Sequence, residues 1–217
     1  MNDLLNYMLE NQTSIWTYSV EHLQLVGLAV FIAIAIGLPL GIYLTTNEEL
    51  AETVLQVANI IMTIPSIALF GIMIPILSVI NQGIGFVPAV IALILYSQLP
   101  IIRNTYVAIN NVDPNIRDAA IGLGMNTMQR LLRVEIPNAL PIIMAGVRQA
   151  VVMNIGIGAI AAFIGAGGLG VLINQGISRS NTTMVLAGAI AISLLAIVTD
   201  GLLGLLQKRM TPKGFQQ

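Results

Sequence analysis

Residues Phe163 to Leu172 read FIGAGGLGVL, and Gly165, Gly167 and Gly170 fall within them at the spacing G-x-G-x-x-G. Read as a dinucleotide fingerprint, this stretch makes the chain a soluble α/β protein; read as a turn between apolar helices, it makes a membrane protein. The fingerprint needs a strand before it, a helix after it and an acidic residue about 20 positions on. Ile190 stands about 20 positions on, and Arg179 is the one basic residue near enough to meet a phosphate. The flanking sequence decides.

Outward from the glycines, charge disappears. No Asp, Glu, Lys or Arg occurs between Arg148 and Arg179, between Arg179 and Asp200, between Glu21 and Glu48, or between Glu52 and Arg103. The 217-residue chain is 56% hydrophobic and 9% charged, with a mean hydropathy of +0.87. A soluble domain carries about 25% charged residues, and about 20 apolar residues suffice to cross the hydrocarbon as a helix. The chain therefore reads as an all-α integral membrane protein, and the dinucleotide reading fails.

Five transmembrane helices are expected: roughly Leu23 to Leu44, Val54 to Ile80 with Pro65 and Pro75 inside, Phe86 to Ile109, Leu140 to Ile164, and Thr183 to Leu206. Prolines inside spans suggest a bundle whose neighbours satisfy the freed backbone. Gly146, Gly156, Gly158 and Ala161 suit close helix contact in the fourth span. Residues 1–21, with Leu4, Leu5, Met8, Leu9, Trp16 and Tyr18, read as a short helix on the outer interface. His22, the only histidine, is expected at the membrane interface.

Arg103, Arg117, Arg130 and Arg133 cluster between spans three and four, and Lys208, Arg209 and Lys213 follow span five. The positive-inside rule places these segments in the cytoplasm and the N-terminus outside. No basic n-region precedes the first span, so no cleavable signal peptide is expected. The net charge of -1 suggests no nucleic-acid partner. With no cysteine and one histidine there is little from which to build a metal site, so none is expected. No internal repeat supports an inverted-repeat transporter.

The basic loop reads VDPNIRDAAIGLGMNTMQRLLRVEIPNALP, Val112 to Pro141. Asp113 before Pro114 is a helix start, with Ile116, Ala120 and Leu123 on one face and Gly124 as the stop. Asn126 with Gln129 predicts a capping box opening a second short helix. That helix puts Met128, Leu131 and Leu132 on one side and Arg130 and Arg133 outward, with Pro137 and Pro141 marking the turn into span four. Two charges, Arg148 and Asp200, fall inside spans at about 12–16 Å from the basic end. Intramembrane charges are usually paired or functional, so the two are expected to approach each other or to line an inward-facing cavity.

Asp118 to Pro137 spell D-A-A-x3-G-x9-V-x-I-P. This resembles the EAA motif (E-A-A-x3-G-x9-I-x-L-P) of ABC-importer permeases, with Asp118 for Glu, Val134 for Ile and Ile136 for Leu. The resemblance covers about residues 19–200 and implies the five-helix type I (MetI-like) permease core with cytoplasmic coupling helices. It assigns residues 1–18 to an extracytoplasmic segment and 201–217 to the end of the last helix and a cytoplasmic tail. Asp118, Ala119, Ala120, Gly124, Val134, Ile136 and Pro137 would belong to the loop that docks into the ATPase. The segment AAFIGAGGLGVLINQGI is similar to the osmoprotectant (Opu-type) branch, which imports glycine betaine, carnitine and choline. Methionine-type permeases carry a related segment. By this resemblance Gly165, Gly167, Gly168 and Gly170 would form a turn near the outer gate, where glycine permits positive φ.

The chain has no G-x-x-x-x-G-K-[ST] motif, so ATP is expected to be bound by a cytoplasmic ABC ATPase, with no cofactor on the permease itself. The implied partners are that ATPase, a second permease (identical or homologous), membrane lipid and an extracytoplasmic substrate-binding protein. The aromatic residues are scattered over several spans, too dispersed for a quaternary-ammonium cage, so recognition falls to the binding protein. The rivals are a permease for another small solute such as methionine, a channel, and an intramembrane enzyme. The enzyme is disfavoured because paired catalytic acids, Cys and a His cluster are missing from the spans.

Overall fold

In hydrocarbon the backbone has no hydrogen-bonding partner but itself, so long charge-free runs fold as helices. The structure is a computed structural model that describes residues 2–210, and every regular element among them is helical. The expected basic residue Lys213 lies outside the described residues.

A short helix α1 (Asn2–Glu10) precedes α2 (Gln12–Leu44), which is 33 residues long. The first span was expected to begin at Leu23 after a separate interfacial segment. Nothing between Gln12 and His22 breaks a helix, as no Gly or Pro occurs there, so the helix simply starts earlier. Helix α3 (Glu48–Thr63) is capped by Asn47, whose side chain accepts from the Leu50 N–H at 3.0 Å. It bends by 100° into α4 (Ser66–Ser78). The single helix expected over Val54 to Ile80 is therefore two. Proline drives its preceding residue out of the helical region, and Ile64 before Pro65 is extended at φ -70, ψ 127. The freed Ile64 carbonyl accepts from the Tyr96 hydroxyl.

Helix α5 (Phe86–Asn110) leads to the loop helices α6 (Pro114–Gly122) and α7 (Thr127–Arg130). Here the expected turn at Pro137 and Pro141 is absent. A wide π turn, Leu131–Glu135, carries α7 directly into α8 (Ile136–Ala161), and a tighter turn continues to Ile164. A π turn gives the ladder slack, and the first proline sits just past it, where its missing N–H and its ring are easiest to accommodate. Helix α9 (Gly170–Ser178) is too short to cross, and α10 (Thr182–Met210) closes the fold. Among the described residues four helical stretches are long and apolar enough to span, and the bent α3–α4 pair makes a fifth crossing when counted as one.

Helices α2, α5 and α8 pack against one another through small residues. Ala29, Ala33, Ala89, Ala92 and Ala150 are fully buried between them, and Phe70 of α4 fills the remaining space. Contact is close at Gly146, where an added Cβ would stand 2.6 Å from both Asn104 Cβ and the Pro100 carbonyl oxygen. Gly156 has nothing within 4 Å, so it takes no part in the close packing expected of it. His22 is likewise not interfacial. It is fully buried between α2 and α8, and its Nε2–H donates to the Ile155 carbonyl at 3.0 Å. By contrast, α10 leaves Leu194, Ile197, Val198, Leu202 and Leu205 exposed along its length.

Candidate functional site

The functional residues collect in three places: a knob at the basic end, a glycine turn at the opposite end, and an ion pair between α8 and α10.

In the knob, Asp113 accepts from the Asn115 N–H at 2.9 Å and Pro114 opens α6. Gly124 ends it at φ +78, in the left-handed region, with the Met125 N–H on the Ala120 carbonyl and the Gly124 N–H on the Ile121 carbonyl. That pair of bonds is a Schellman motif, which favours glycine at this position. Asn126 and Gln129 then form a reciprocal capping box. Asp118 and Ala119 face outward while Ala120 is buried. Val134, Ile136 and Pro137 are half-buried where the π turn meets α8.

Two expectations about this loop need correction. Leu123, expected on the inner face with Ala120, is 77% exposed, and Met128 and Leu132 point out with Ile121. The knob thus presents four large apolar side chains, a surface suited to a protein partner. Arg130, expected outward, turns in. Its Nε donates to Glu135 Oε1 at 2.9 Å, and Arg117 Nε stands 3.3 Å from the same oxygen. Arg117 also donates to the Ile109 carbonyl at the end of α5. Glu135 is 6% exposed, so this buried carboxylate ties α6, α7 and α8 together. Glu135 occupies an unspecified position of the motif, so nothing in the sequence pattern marks it. Replacing Glu135 by Gln leaves two guanidinium groups without their counter-charge. Both arginines are partly exposed, so the expected cost is about 1–2 kcal/mol rather than that of a fully buried pair. Hydrogen exchange in residues 114–122 should quicken by roughly tenfold while the middle of α5 stays protected.

At the other end, α8 stops in a second Schellman motif: Gly165 is at φ +80, with the Ala166 N–H on the Ala161 carbonyl. Gly167 and Gly168 follow at φ +80 and +77. The Gly168 N–H donates to Glu21 Oε2 at 3.0 Å, and the Gly85 N–H donates to the Ile164 carbonyl at 2.8 Å. The N–H that a phosphate would need is taken by the chain's own carboxylate. Gly170 plays a different part from the other three. It starts α9 in helical conformation, and a Cβ there would lie 2.0 Å from the Ala159 carbonyl oxygen. Glu21 stands out in the sequence only as an acid beside the lone histidine at the edge of a charge-free run.

Between these ends, Arg148 and Asp200 form a two-pronged ion pair, Nε–Oδ1 2.9 Å and Nη2–Oδ2 2.8 Å. Arg148 Nη1 also donates to Gln207 Oε1 at 2.7 Å, and Gln207 Nε2 donates to the Pro141 carbonyl. Such forked geometry is the strong form of a guanidinium–carboxylate contact. Among the described residues no cluster of His, Cys, Asp or Glu could hold a metal ion.

The model of the family described as binding-protein-dependent transport system inner membrane component matches residues 14–212, and the chain belongs to that family. It is 54% identical to the osmoprotectant import permease protein OsmW of Salmonella typhimurium, over 99% of this chain and 100% of that protein. It is 38% identical to the glycine betaine/carnitine/choline transport system permease protein OpuCB of Bacillus subtilis, over 100% of this chain and 97% of the relative. Among solved structures it is similar to a chain of the MetNI methionine ABC transporter in inward-facing conformations. That match has a TM-score of 0.83 and 25% identity, and covers 94% of this chain and 99% of that one. The protein is a multi-pass transport permease of the bacterial inner membrane with the ABC-importer permease fold.

Proposed function

We propose that the chain forms, with a second permease, the translocation pathway of an ATP-driven importer for quaternary ammonium osmoprotectants: glycine betaine, carnitine and choline. The observation that carries this reading is the likeness over essentially full length to permeases named for those solutes. Likeness to the methionine system rests on the fold at 25% identity, so methionine is the weaker substrate reading.

In this reading the N-terminus and residues 1–18 lie outside, 19–200 make the permease domain, and 201–217 lead into the cytoplasm. The knob of α6 and α7 is the coupling element, and a cytoplasmic ATPase binds and hydrolyses ATP. Asp118 and the exposed apolar side chains meet the ATPase, and Gly124 shapes the turn between the two helices. The helix from Thr127 to Ile164 is continuous, about 57 Å at 1.5 Å per residue. Its rigidity lets a displacement of the knob reach the glycine turn, where Gly165, Gly167, Gly168 and Gly170 act at the outer gate. An extracytoplasmic binding protein delivers the solute.

The test is uptake by vesicles containing the chain with its copurifying subunits and binding protein, supplied in turn with labelled glycine betaine, carnitine, choline and methionine. At least one quaternary ammonium solute is expected to accumulate and methionine is not. Accumulation of methionine alone overturns the substrate reading.

A further inference from the structure

An ion pair inside a membrane span is a poor way to stabilise a bundle, because desolvation of both charges offsets most of their attraction. Arg148 and Asp200 are moreover not sealed. Their side chains are 30% and 39% exposed, on the wall of an open cavity of about 700 Å³ between α8 and α10. Val152, Ala196 and Ile197 add apolar surface to that wall, and Gln149 adds one further polar side chain.

The hydrogen-bonding inventory is incomplete on the cavity side. A guanidinium has five N–H donors. Arg148 uses three, two to Asp200 and one to Gln207, which leaves one N–H on each terminal nitrogen. Asp200 keeps lone pairs on both oxygens beyond the two that Arg148 occupies. Gly204 backs the pair: an added Cβ there would lie 3.4 Å from Arg148 Cζ, so a side chain would crowd the guanidinium. A fixed cation and a fixed anion are thus presented side by side, each with unused capacity, in a cavity of ligand size.

The geometry points to a transit site for a small zwitterion, one carrying a carboxylate and a quaternary ammonium. This rests on the osmoprotectant reading above and deepens it. The solute's carboxylate takes the spare N–H groups of Arg148. Its trimethylammonium group, which has no hydrogen to donate, meets Asp200 through charge alone. No aromatic ring lines the cavity, so it lacks the cage that gives tight quaternary ammonium binding. Weak holding is what a pathway needs, since a solute held tightly would not leave.

The chain has no cysteine, so Ile197→Cys places a single thiol on the cavity wall. In the reconstituted complex, a methanethiosulfonate reagent carrying trimethylammonium is expected to modify it. Glycine betaine at about ten times its half-protecting concentration should slow that reaction about tenfold, while sucrose should not. An unreactive thiol would place the cavity against lipid, and a reaction rate indifferent to glycine betaine would leave the cavity empty of solute; either overturns the assignment. The exchange R148D/D200R, which keeps an ion pair but reverses the order of charges, provides an independent check. Glycine betaine uptake should fall at least about tenfold, or 1.4 kcal/mol in barrier, with the ATPase still copurifying. Wild-type uptake by the exchanged protein would show that any pair suffices and overturn the site. A wild-type complex that accumulates none of glycine betaine, carnitine and choline sinks the functional reading itself, whereas one that accumulates choline alone overturns only the site. Uptake with an unprotected thiol at position 197 sinks only the site.

Discussion

Replacing Gly168 by valine is expected to reduce uptake to background while the ATPase still copurifies with the chain. Gly168 stands at φ +77, a conformation that a β-branched residue adopts at high cost. Space is also lacking. A Cβ there would lie 2.9 Å from His22 Nδ1 and 3.3 Å from His22 Cα, and His22 is fully buried with its other nitrogen on the Ile155 carbonyl. The histidine cannot swing away without losing that bond, so the turn must move and the Glu21 hydrogen bond with it. The knob lies at the far end of α8 and should keep its shape. Normal uptake by Gly168→Val would reduce the turn to a spacer.

A comparably large effect is expected at the knob, of the opposite kind. Gly124→Leu should reach the membrane and fold, yet lose substrate-stimulated ATP hydrolysis. Nothing lies within 4 Å of a Cβ at Gly124, so the bundle itself does not resist the side chain. The cost is conformational, about 1–2 kcal/mol for a non-glycine residue in the left-handed region. The turn between α6 and α7 therefore shifts, and a leucine protrudes beside Ile121 and Leu123, where the ATPase is proposed to sit. Asp118→Ala, which removes one exposed charge, should weaken ATPase association more mildly, by roughly 0.5–2 kcal/mol. Full stimulation in Gly124→Leu, with the ATPase bound as tightly as before, would mean that the coupling element lies elsewhere.

Much of this architecture was legible in the sequence because the signals are local. Charge-free runs marked the crossings, Asp113-Pro114 and Asn126 with Gln129 marked helix starts, and the glycines marked the ends of α6 and α8. The misreadings turn on contacts or backbone geometry that local residue patterns do not show. The bend at Pro65 follows from a proline that could be seen, but its size depends on packing against α5, where Tyr96 holds Ile64. The uninterrupted path from α7 to α8 defeats two proline signals through a π turn that no residue announces. Basic residues on a short amphipathic helix usually face solvent, and Glu135 reverses that for Arg130. A lone polar ring at the edge of a span, such as His22, usually faces the headgroups. His22 is buried because α8 offers Ile155's carbonyl as partner and Gly158 as room, with an added Cβ at Gly158 only 3.2 Å from the ring.

The same distinction separates the glycines. Gly165, Gly167 and Gly168 are required by backbone conformation, which spacing can suggest. Gly170 is required by the approach of α9 to the Ala159 carbonyl, which spacing cannot reveal. The G-x-G-x-x-G pattern thus mixes two unrelated causes in one short stretch.

The proposal that the knob couples ATP hydrolysis to solute movement is tested most directly by measuring both in the same vesicles. With wild-type chain, ATPase and binding protein present, glycine betaine should raise ATP hydrolysis and accumulate against its gradient, and both should cease together in Gly124→Leu. Hydrolysis indifferent to the solute in the wild type would contradict the proposal, and entry of glycine betaine at the same rate without ATP would contradict it and describe a channel instead.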